Sequence, residues 1–155
     1  MPKENLKKLF VAIIVIFTVM TVFARSEAKG ETSLEEELVE YATSKEFLGL
    51  PYCWGGTSPE TGFDCSGFVR YVYSYFGINI PRTTYDQRNE GSPVATIGEL
   101  VKGDLVFFYA YDHVGIYIGE NQMVHSGDSG LEIASMEEDS YYANNFCGGA
   151  HILSK

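Results

Sequence analysis

The sequence predicts an α+β fold in which N-terminal helices pack on an antiparallel β-sheet. Helical apolar patterns occupy the first half of the chain, and short segments rich in Val, Ile, Phe and Tyr follow one another after Gly103. Strands that follow one another directly pair as antiparallel neighbours, because parallel neighbours need a long crossover connection. With 155 residues, of which 45% are hydrophobic, the chain has the size and composition of one globular domain.

The first predicted helix covers residues 33–47. Ser33 followed by Glu36 is the pattern of a capping box, and apolar residues recur behind it at helical spacing. The segment 48–63 that follows is rich in proline and glycine, so it is predicted to be a loop.

A second amphipathic helix is predicted over residues 65–76. Gly77 follows it directly, and glycine is the residue that most often ends a helix. A short helix over 83–89 is predicted after Pro81.

The second half of the chain is predicted to form the sheet. The predicted strands are 104–109, 114–119, 122–126, 130–133 and 146–152. Glu120 and Asn121 separate two of these strands by two residues only, which is the spacing of a tight hairpin turn.

The charge of the chain excludes one broad class of partner. Acidic residues outnumber basic ones 21 to 11, which gives a formal net charge of −10. Such a chain repels a phosphate backbone and has no basic run, so no nucleic-acid partner is expected. Three cysteines are too few for a disulfide framework, and pairing any two of them leaves one free thiol.

Residues 1–28 have the pattern of a signal peptide. Three lysines precede an apolar run over 9–24, and small residues follow at Ala24 and Ala28, where cleavage is expected. The run is shorter than the roughly 20 residues of a membrane-spanning helix, so an uncleaved anchor is the less favoured interpretation. Contact with a membrane is then expected only through this segment, and residues 29–155 form an exported domain.

One cysteine and two histidines form the candidate catalytic group. Cys65 begins the second predicted helix, where free N–H groups and the helix dipole lower a thiol pKa and stabilise an oxyanion. A nucleophilic cysteine also needs a base within hydrogen-bond reach. His113 and His125 lie on two strands joined by the tight turn, so their rings can meet across a hairpin. One histidine can take the cysteine proton while the other orients it.

Five short sequence motifs lie around the candidate catalytic cysteine and histidines. They are PYCWGG at 51–56, DCSGFV at 64–69, PRT at 81–83, GDLVFF at 103–108 and HVGIYIG at 113–119. In this order they resemble the NlpC-type cell-wall peptidases, which are cysteine peptidases of papain-like fold. The resemblance implies cleavage of peptidoglycan stem peptides, typically at the bond between D-γ-glutamate and a diamino acid.

The resemblance also implies roles for individual residues. It places the nucleophile at Cys65, the base at His113 and the third polar residue at His125. Tyr52 corresponds to a tyrosine near the oxyanion. The neighbours of the nucleophile, Asp64 and Ser66, would shape the subsite for the amino end of the peptide. No metal and no organic cofactor is implied, and the expected location is secreted, periplasmic or associated with the cell wall.

Several other residues allow more than one interpretation. Cys53 and Cys147 either form a disulfide or remain two thiols. A zinc site is not favoured, because Cys53 and Cys65 are twelve residues apart and the chain has no C-x-x-C motif. Arg82 either meets a substrate carboxylate or forms an ion pair. Trp54 is expected to pack within its loop rather than to stack on a ligand. Asp104 is expected to cap a turn before a buried strand, and His151 is expected to be structural.

Two other functions use the same residues. An amidase or acyltransferase would keep the cysteine and histidines but act on another exported amide or on a lipid. A catalytically silent wall-binding domain would keep the fold alone, and the presence of Cys65, His113 and His125 argues against it.

Overall fold

A computed structural model describes residues 32–153, so the predicted signal peptide lies outside the described residues. In chain order the elements are α1 (Leu34–Ala42), β1 (Thr57–Ser58), β2 (Gly62–Phe63), α2 (Cys65–Tyr75), α3 (Thr84–Gln87), β3 (Ser92–Val94), β4 (Leu105–Phe108), β5 (His113–Gly119), β6 (Gln122–Gly127), β7 (Gly130–Ser135) and β8 (Phe146–His151). Within this part of the chain, no helix has the length and apolar character needed to cross a membrane.

The sheet confirms the predicted α+β class. Six strands pair in the order β3–β8–β4–β5–β6–β7, and every neighbouring pair is antiparallel. Strands β5 and β6 are joined at Glu120 and Asn121, whose φ angles of 52° and 50° give the left-handed backbone that a two-residue hairpin turn requires. The predicted turn is therefore confirmed.

The core has two parts, because β4 is buried on both faces. Leu105 and Phe107 point to one face of the sheet and pack with the apolar side of α2, which contributes Phe68 and Val72. The intervening Phe108 packs on the other face in a second apolar cluster. Burial on both faces explains why this strand reads as a continuous apolar run rather than an alternating one.

Each of the three helices is preceded by a residue whose side chain caps its N-terminus. Ser33, Asp64 and Thr83 are the N-caps of α1, α2 and α3, and each side chain accepts a hydrogen bond from a backbone N–H of its helix. The end of the second helix is also close to its predicted position, since Tyr75 is the last helical residue and Gly77 follows with a φ of 75°.

One predicted helix end is wrong, and three short strands were not predicted: β3, and β1 and β2 within the segment predicted to be a loop. Helix α1 ends at Ala42 rather than residue 47, because the following turns carry the chain toward β7, where the N–H of Gly49 donates to the carbonyl of Leu131. Strand β3 was not predicted at all. Its central residue Pro93 suits only an edge strand, which is where β3 lies.

Candidate active site

A concave site lies between the N-terminus of α2 and the start of β5. It is a pocket of about 700 Å³, open to solvent, and both Cys65 and His113 line it. Two groups of lining residues face each other across it. The helix wall consists of Tyr52, Asp64, Cys65, Ser66 and Arg82, and the sheet wall consists of Tyr109, His113, Gly127, Tyr141 and Tyr142.

Cys65 is placed by the N-terminus of α2, of which it is the first residue. The Asp64 carboxylate accepts a hydrogen bond of 2.7 Å from the Gly67 N–H and so caps the helix. Any side chain at Gly67 would overlap the carbonyl of Gly56, so the glycine of the DCSG motif lets the loop lie against the helix end. The motif therefore fixes the position of the thiol.

The expected lowering of the thiol pKa is wrong for the resting protein. Cys65 is only 8% exposed, and this burial raises its pKa above the ordinary value. The backbone N–H groups of Val114 and Ser66 act in the opposite direction but do not outweigh burial, and the Asp64 charge adds to the rise. The resting residue is a thiol, and a base must remove its proton.

Asp64 is the centre of a charged network on the helix wall. Arg82 donates to both of its carboxylate oxygens, at 3.0 and 2.6 Å, and also donates to the Ser66 hydroxyl at 2.8 Å. A further hydrogen bond of 2.9 Å comes from the Gly55 N–H. Burial alone would raise the pKa of Asp64, but the bonds from Arg82 and the Gly67 N–H hold it below its ordinary value. Of the two roles considered for Arg82, the structure shows the ion pair.

The two candidate histidines meet on the sheet. His113 is the first residue of β5, and His125 lies in the middle of β6. Their Nε2 and Nδ1 atoms are 2.9 Å apart, which is a hydrogen bond. Because His113 contributes Nε2 to this bond, its Nδ1 remains available on the other side of the ring.

Burial keeps both histidines neutral at neutral pH. It lowers the pKa of His113 to about 4, and together with the smaller effect of the neighbouring His113 it lowers the pKa of His125 to about 3. The Tyr142 ring lies edge-on to His125 at 5.0 Å and helps to exclude water. Gly127 is needed here as well, since a Cβ atom at that position would lie 2.7 Å from Cε1 of His125.

Tyr52 approaches the same pocket from the loop before α2. The loop is held by an isolated parallel bridge between Tyr52 and Phe63. Burial raises the pKa of Tyr52, and the nearby groups of Cys65 and Asp64 raise it further. Its hydroxyl is therefore protonated and can donate a hydrogen bond within the pocket.

Sequence reasoning missed the aromatic part of the sheet wall. Tyr109 lies in a left-handed turn, since φ is 52° at Tyr109, 56° at Ala110 and 75° at Tyr111. Tyr141 and Tyr142 come from the segment between β7 and β8. No motif marks these tyrosines, and only the tertiary structure brings them to the site.

One expectation at the rim is wrong. Trp54 is 87% exposed and lines the pocket mouth, so it does not pack within its loop. The two residues expected to be structural behave as predicted: Asp104 accepts a hydrogen bond from the Val101 N–H at 2.7 Å and pairs with His151 at 2.8 Å.

The remaining thiols and acids form no second centre in the part of the chain that the structure describes. Cys53, Cys65 and Cys147 are all free. Across residues 32–153 no three His, Cys, Asp or Glu side chains are grouped as metal ligands would be.

Comparison with known proteins finds one family model and several named peptidases that this chain is similar to. The sequence model of the NlpC/P60 family matches residues 49–150. The chain is 41% identical to the gamma-D-glutamyl-L-lysine dipeptidyl-peptidase of Bacillus cereus, over 77% of this chain and 37% of that protein. It is 39% identical to the murein DD-endopeptidase MepH of Escherichia coli, over 69% of this chain and 42% of that protein.

A solved structure shows the same likeness in three dimensions. The crystal structure of an NlpC/P60 family protein from Bacillus cereus superposes with a TM-score of 0.68 at 37% identity, over 79% of this chain and 41% of that one. The chain thus spans less than half the length of each of these three proteins. The resemblance predicted from the five motifs is confirmed, and so is the fold class.

Proposed function

The chain belongs to the NlpC/P60 family, and we propose that it is a cysteine peptidase that hydrolyses peptidoglycan stem peptides. One observation carries the proposal: the pocket that holds Cys65 at a helix N-terminus also holds His113, which is joined to His125 by a hydrogen bond of 2.9 Å. A nucleophile, a base and an orienting group are the three parts that acyl transfer by a cysteine requires.

In the first step Nδ1 of His113 takes the proton of the Cys65 thiol while the sulfur attacks the amide carbonyl carbon. The proton moves during the attack, because burial keeps both the thiol and the imidazole neutral in the resting protein. Negative charge develops on the carbonyl oxygen. Backbone N–H groups at the start of α2 and the Tyr52 hydroxyl stabilise this oxyanion.

In the second step the tetrahedral intermediate collapses. The carbon–nitrogen bond breaks, His113 donates its proton to the departing amine, and a thioester to Cys65 remains. A water molecule then gives a proton to His113 and attacks the thioester carbon. The carbon–sulfur bond breaks, the acid is released, and His113 returns the proton to the sulfur to restore the thiol. His125 holds His113 in the tautomer that leaves Nδ1 free.

The proposed bond is the one between D-γ-glutamate and the diamino acid. The Bacillus cereus relative, which is 41% identical to this chain, is named a gamma-D-glutamyl-L-lysine dipeptidyl-peptidase. The Escherichia coli relative is named a DD-endopeptidase and represents the alternative bond.

The helix wall is proposed to bind the amino end of the stem peptide. Asp64 remains ionised because Arg82 and two backbone N–H groups satisfy it. Asp64 and Ser66 both line the pocket, so these fixed side chains shape the subsite that the amino end of the peptide would enter. Export by residues 1–28, and action outside the cytoplasm, belong to the same proposal, since peptidoglycan lies outside the cytoplasm.

The proposal is tested by incubating the purified protein with muropeptides of defined sequence and identifying the products by mass spectrometry. We expect new amino termini at the diamino acid and free acids at D-glutamate. Cys65→Ala should abolish hydrolysis and leave the far-UV circular dichroism spectrum unchanged. Cys53→Ala is the matched control, because Cys53 is also a free thiol but does not line the pocket, and it should retain activity.

Four outcomes would contradict the proposal, and the first is that the protein cleaves no muropeptide at all. Cleavage between two D-residues would reassign the bond, and transfer of the acyl group to an amine or lipid would reassign the reaction. Retention of full activity in Cys65→Ala would remove the nucleophile from the mechanism.

A further inference from the structure

The second nitrogen of the buried histidine has no partner in the described structure. His125 is fully buried, and its Nδ1 is bonded to His113. Its Nε2 is shielded from solvent and has no hydrogen-bond partner among residues 32–153. A buried imidazole nitrogen that carries a proton is costly without an acceptor, so this atom requires an explanation.

A carboxylate lies next to this nitrogen. Glu132 on β7 is the cross-strand partner of His125 in the register of β6 and β7. Its Oε1 atom is 3.9 Å from Nε2 of His125. The Glu132 side chain is 46% exposed, so it can rotate, and a movement of about 1 Å brings the oxygen to hydrogen-bond distance.

A hydrogen bond at this position would fix the proton positions in both rings. A neutral imidazole carries one N–H, so a proton on Nε2 of His125 leaves its Nδ1 as an acceptor. Nε2 of His113 must then donate to that Nδ1, and Nδ1 of His113 carries no proton. The opposite arrangement would put a proton on Nδ1 of His113, and that atom could not receive the proton of Cys65.

We propose that Glu132 is a positioning residue, which accepts a hydrogen bond from Nε2–H of His125 and thereby holds His113 in the tautomer that can act as a base. The inference deepens the proposed function and rests on it for its effect on rate. Its effect on the tautomer is independent of any substrate.

Among the groups around the two histidines, Glu132 is the best placed to accept a hydrogen bond from Nε2 of His125. Asp128 is the carboxylate that acts on His113, where its charge raises the pKa. Tyr142 presents its ring to both histidines, so it contributes burial. Among residues 32–153, Glu132 is the charged partner found within 4 Å of Nε2 of His125.

The first test uses the unmodified full-length protein. Nitrogen-15 NMR of the histidine side chains at pH 7 should show a protonated Nε2 and an unprotonated Nδ1 for His125. An unprotonated Nε2 at His125 would overturn the proposal, whatever the activity of the protein is.

The second test uses Glu132→Ala, Glu132→Gln and the control Glu138→Gln. Glu132→Ala should lower kcat about fivefold or more with KM within about twofold, because the lost bond orients the base and does not touch substrate. Glu132→Gln keeps an accepting oxygen and should recover part of the rate. Glu138 is exposed in the segment after β7, so Glu138→Gln should leave kcat and the histidine spectrum unchanged.

The outcomes separate the two proposals. A protein that cleaves no muropeptide but shows the expected His125 tautomer would refute the proposed function alone. An active protein whose kcat and His125 spectrum are unchanged in Glu132→Ala would refute the role of Glu132 alone. If Glu132→Ala unfolds, the spectrum of the unmodified protein and the rate of Glu132→Gln still decide the question.

Discussion

The two walls of the pocket hold titratable groups in opposite ways. On the helix wall, the Asp64 carboxylate is kept charged by a bidentate bond from Arg82 and by two backbone N–H groups. On the sheet wall, His113 and the fully buried His125 bonded to it are kept neutral by burial beside aromatic rings. The carboxylate on the helix wall is therefore charged and paired, whereas the two imidazoles are uncharged.

This difference matches what each wall is proposed to do. A group that shapes the subsite for one end of a substrate needs a fixed position, which a bidentate ion pair supplies. A base needs an unprotonated nitrogen at neutral pH, which a lowered histidine pKa supplies. The same pocket therefore combines a paired carboxylate with a neutral imidazole.

Removal of the base from the sheet wall should have the largest effect. His113→Ala should lower kcat on the order of 10³-fold, because general acid–base catalysis by one residue contributes about 10² to 10⁴. His125→Ala should lower it less, since an orienting group is more replaceable than the base. His151→Ala removes the histidine that pairs with Asp104 outside the pocket, so the rate per folded molecule should be unchanged. The reverse order of the first two variants would refute their assigned roles.

Removal of the Arg82 guanidinium from the helix wall should have an effect of intermediate size, and the effect should be on the stability of the protein. Arg82→Leu leaves the Asp64 carboxylate, whose side chain is 10% exposed, without its ion-pair partner. The free energy of unfolding should fall by about 2 kcal/mol at pH 7 in urea denaturation. Arg88→Leu is the control, because Arg88 stacks over the Tyr85 ring at 3.7 Å, and it should cost less than about 1 kcal/mol.

A second variant tests whether that loss arises from the unpaired charge. Asp64→Asn added to Arg82→Leu should recover part of the stability, since the double variant leaves no buried charge without a partner. Asp64→Asn is also measured alone in the wild-type protein. If it lowers the free energy of unfolding of Arg82→Leu by as much as it lowers that of the wild type, the two residues are not coupled.

The smallest effect should come from the charge at the edge of the sheet wall. Because a protonated His113 cannot accept a proton, kcat/KM should fall as pH decreases through about 4, and not through the ordinary histidine value of 6.5. Asp128 raises the pKa of His113, so Asp128→Asn should move this acidic limb to lower pH by a few tenths of a unit. Asp112→Asn, at another lining residue, should not move it. A wild-type limb near 6.5 would show that burial does not set the protonation of His113.

Much of the site was predictable because it is local in sequence. Cys65 lies at a helix start whose cap, Asp64, is the preceding residue, and the helix is amphipathic enough to be recognised. The pairing of the two histidine strands was predictable from the two-residue turn at Glu120 and Asn121. A bulge between Tyr117 and Gly119, which was not predicted, shifts the register by one residue and puts His113 and His125 on the same face of the sheet. In both cases residues a short distance apart determine the geometry.

The features that were missed depend on distant segments. The exposure of Trp54 and the aromatic wall around Tyr142 arise from loops that meet only in the folded chain. The thiol pKa of Cys65 is raised because the sheet buries the helix end, and this outweighs the local effect of the N–H groups. A helix pattern contains no information about what will cover its first turn.

The sequence by itself determined the fold class, the order of the principal helices and strands and the start of the helix that carries the nucleophile, since apolar periodicity, caps and turns act over a few residues. Only the tertiary structure decided the protonation states. It paired Asp64 with Arg82, buried the histidines and set Glu132 beside His125. Protonation depends on burial and on nearby charges, and both are properties of groups that the fold brings together from separate parts of the chain.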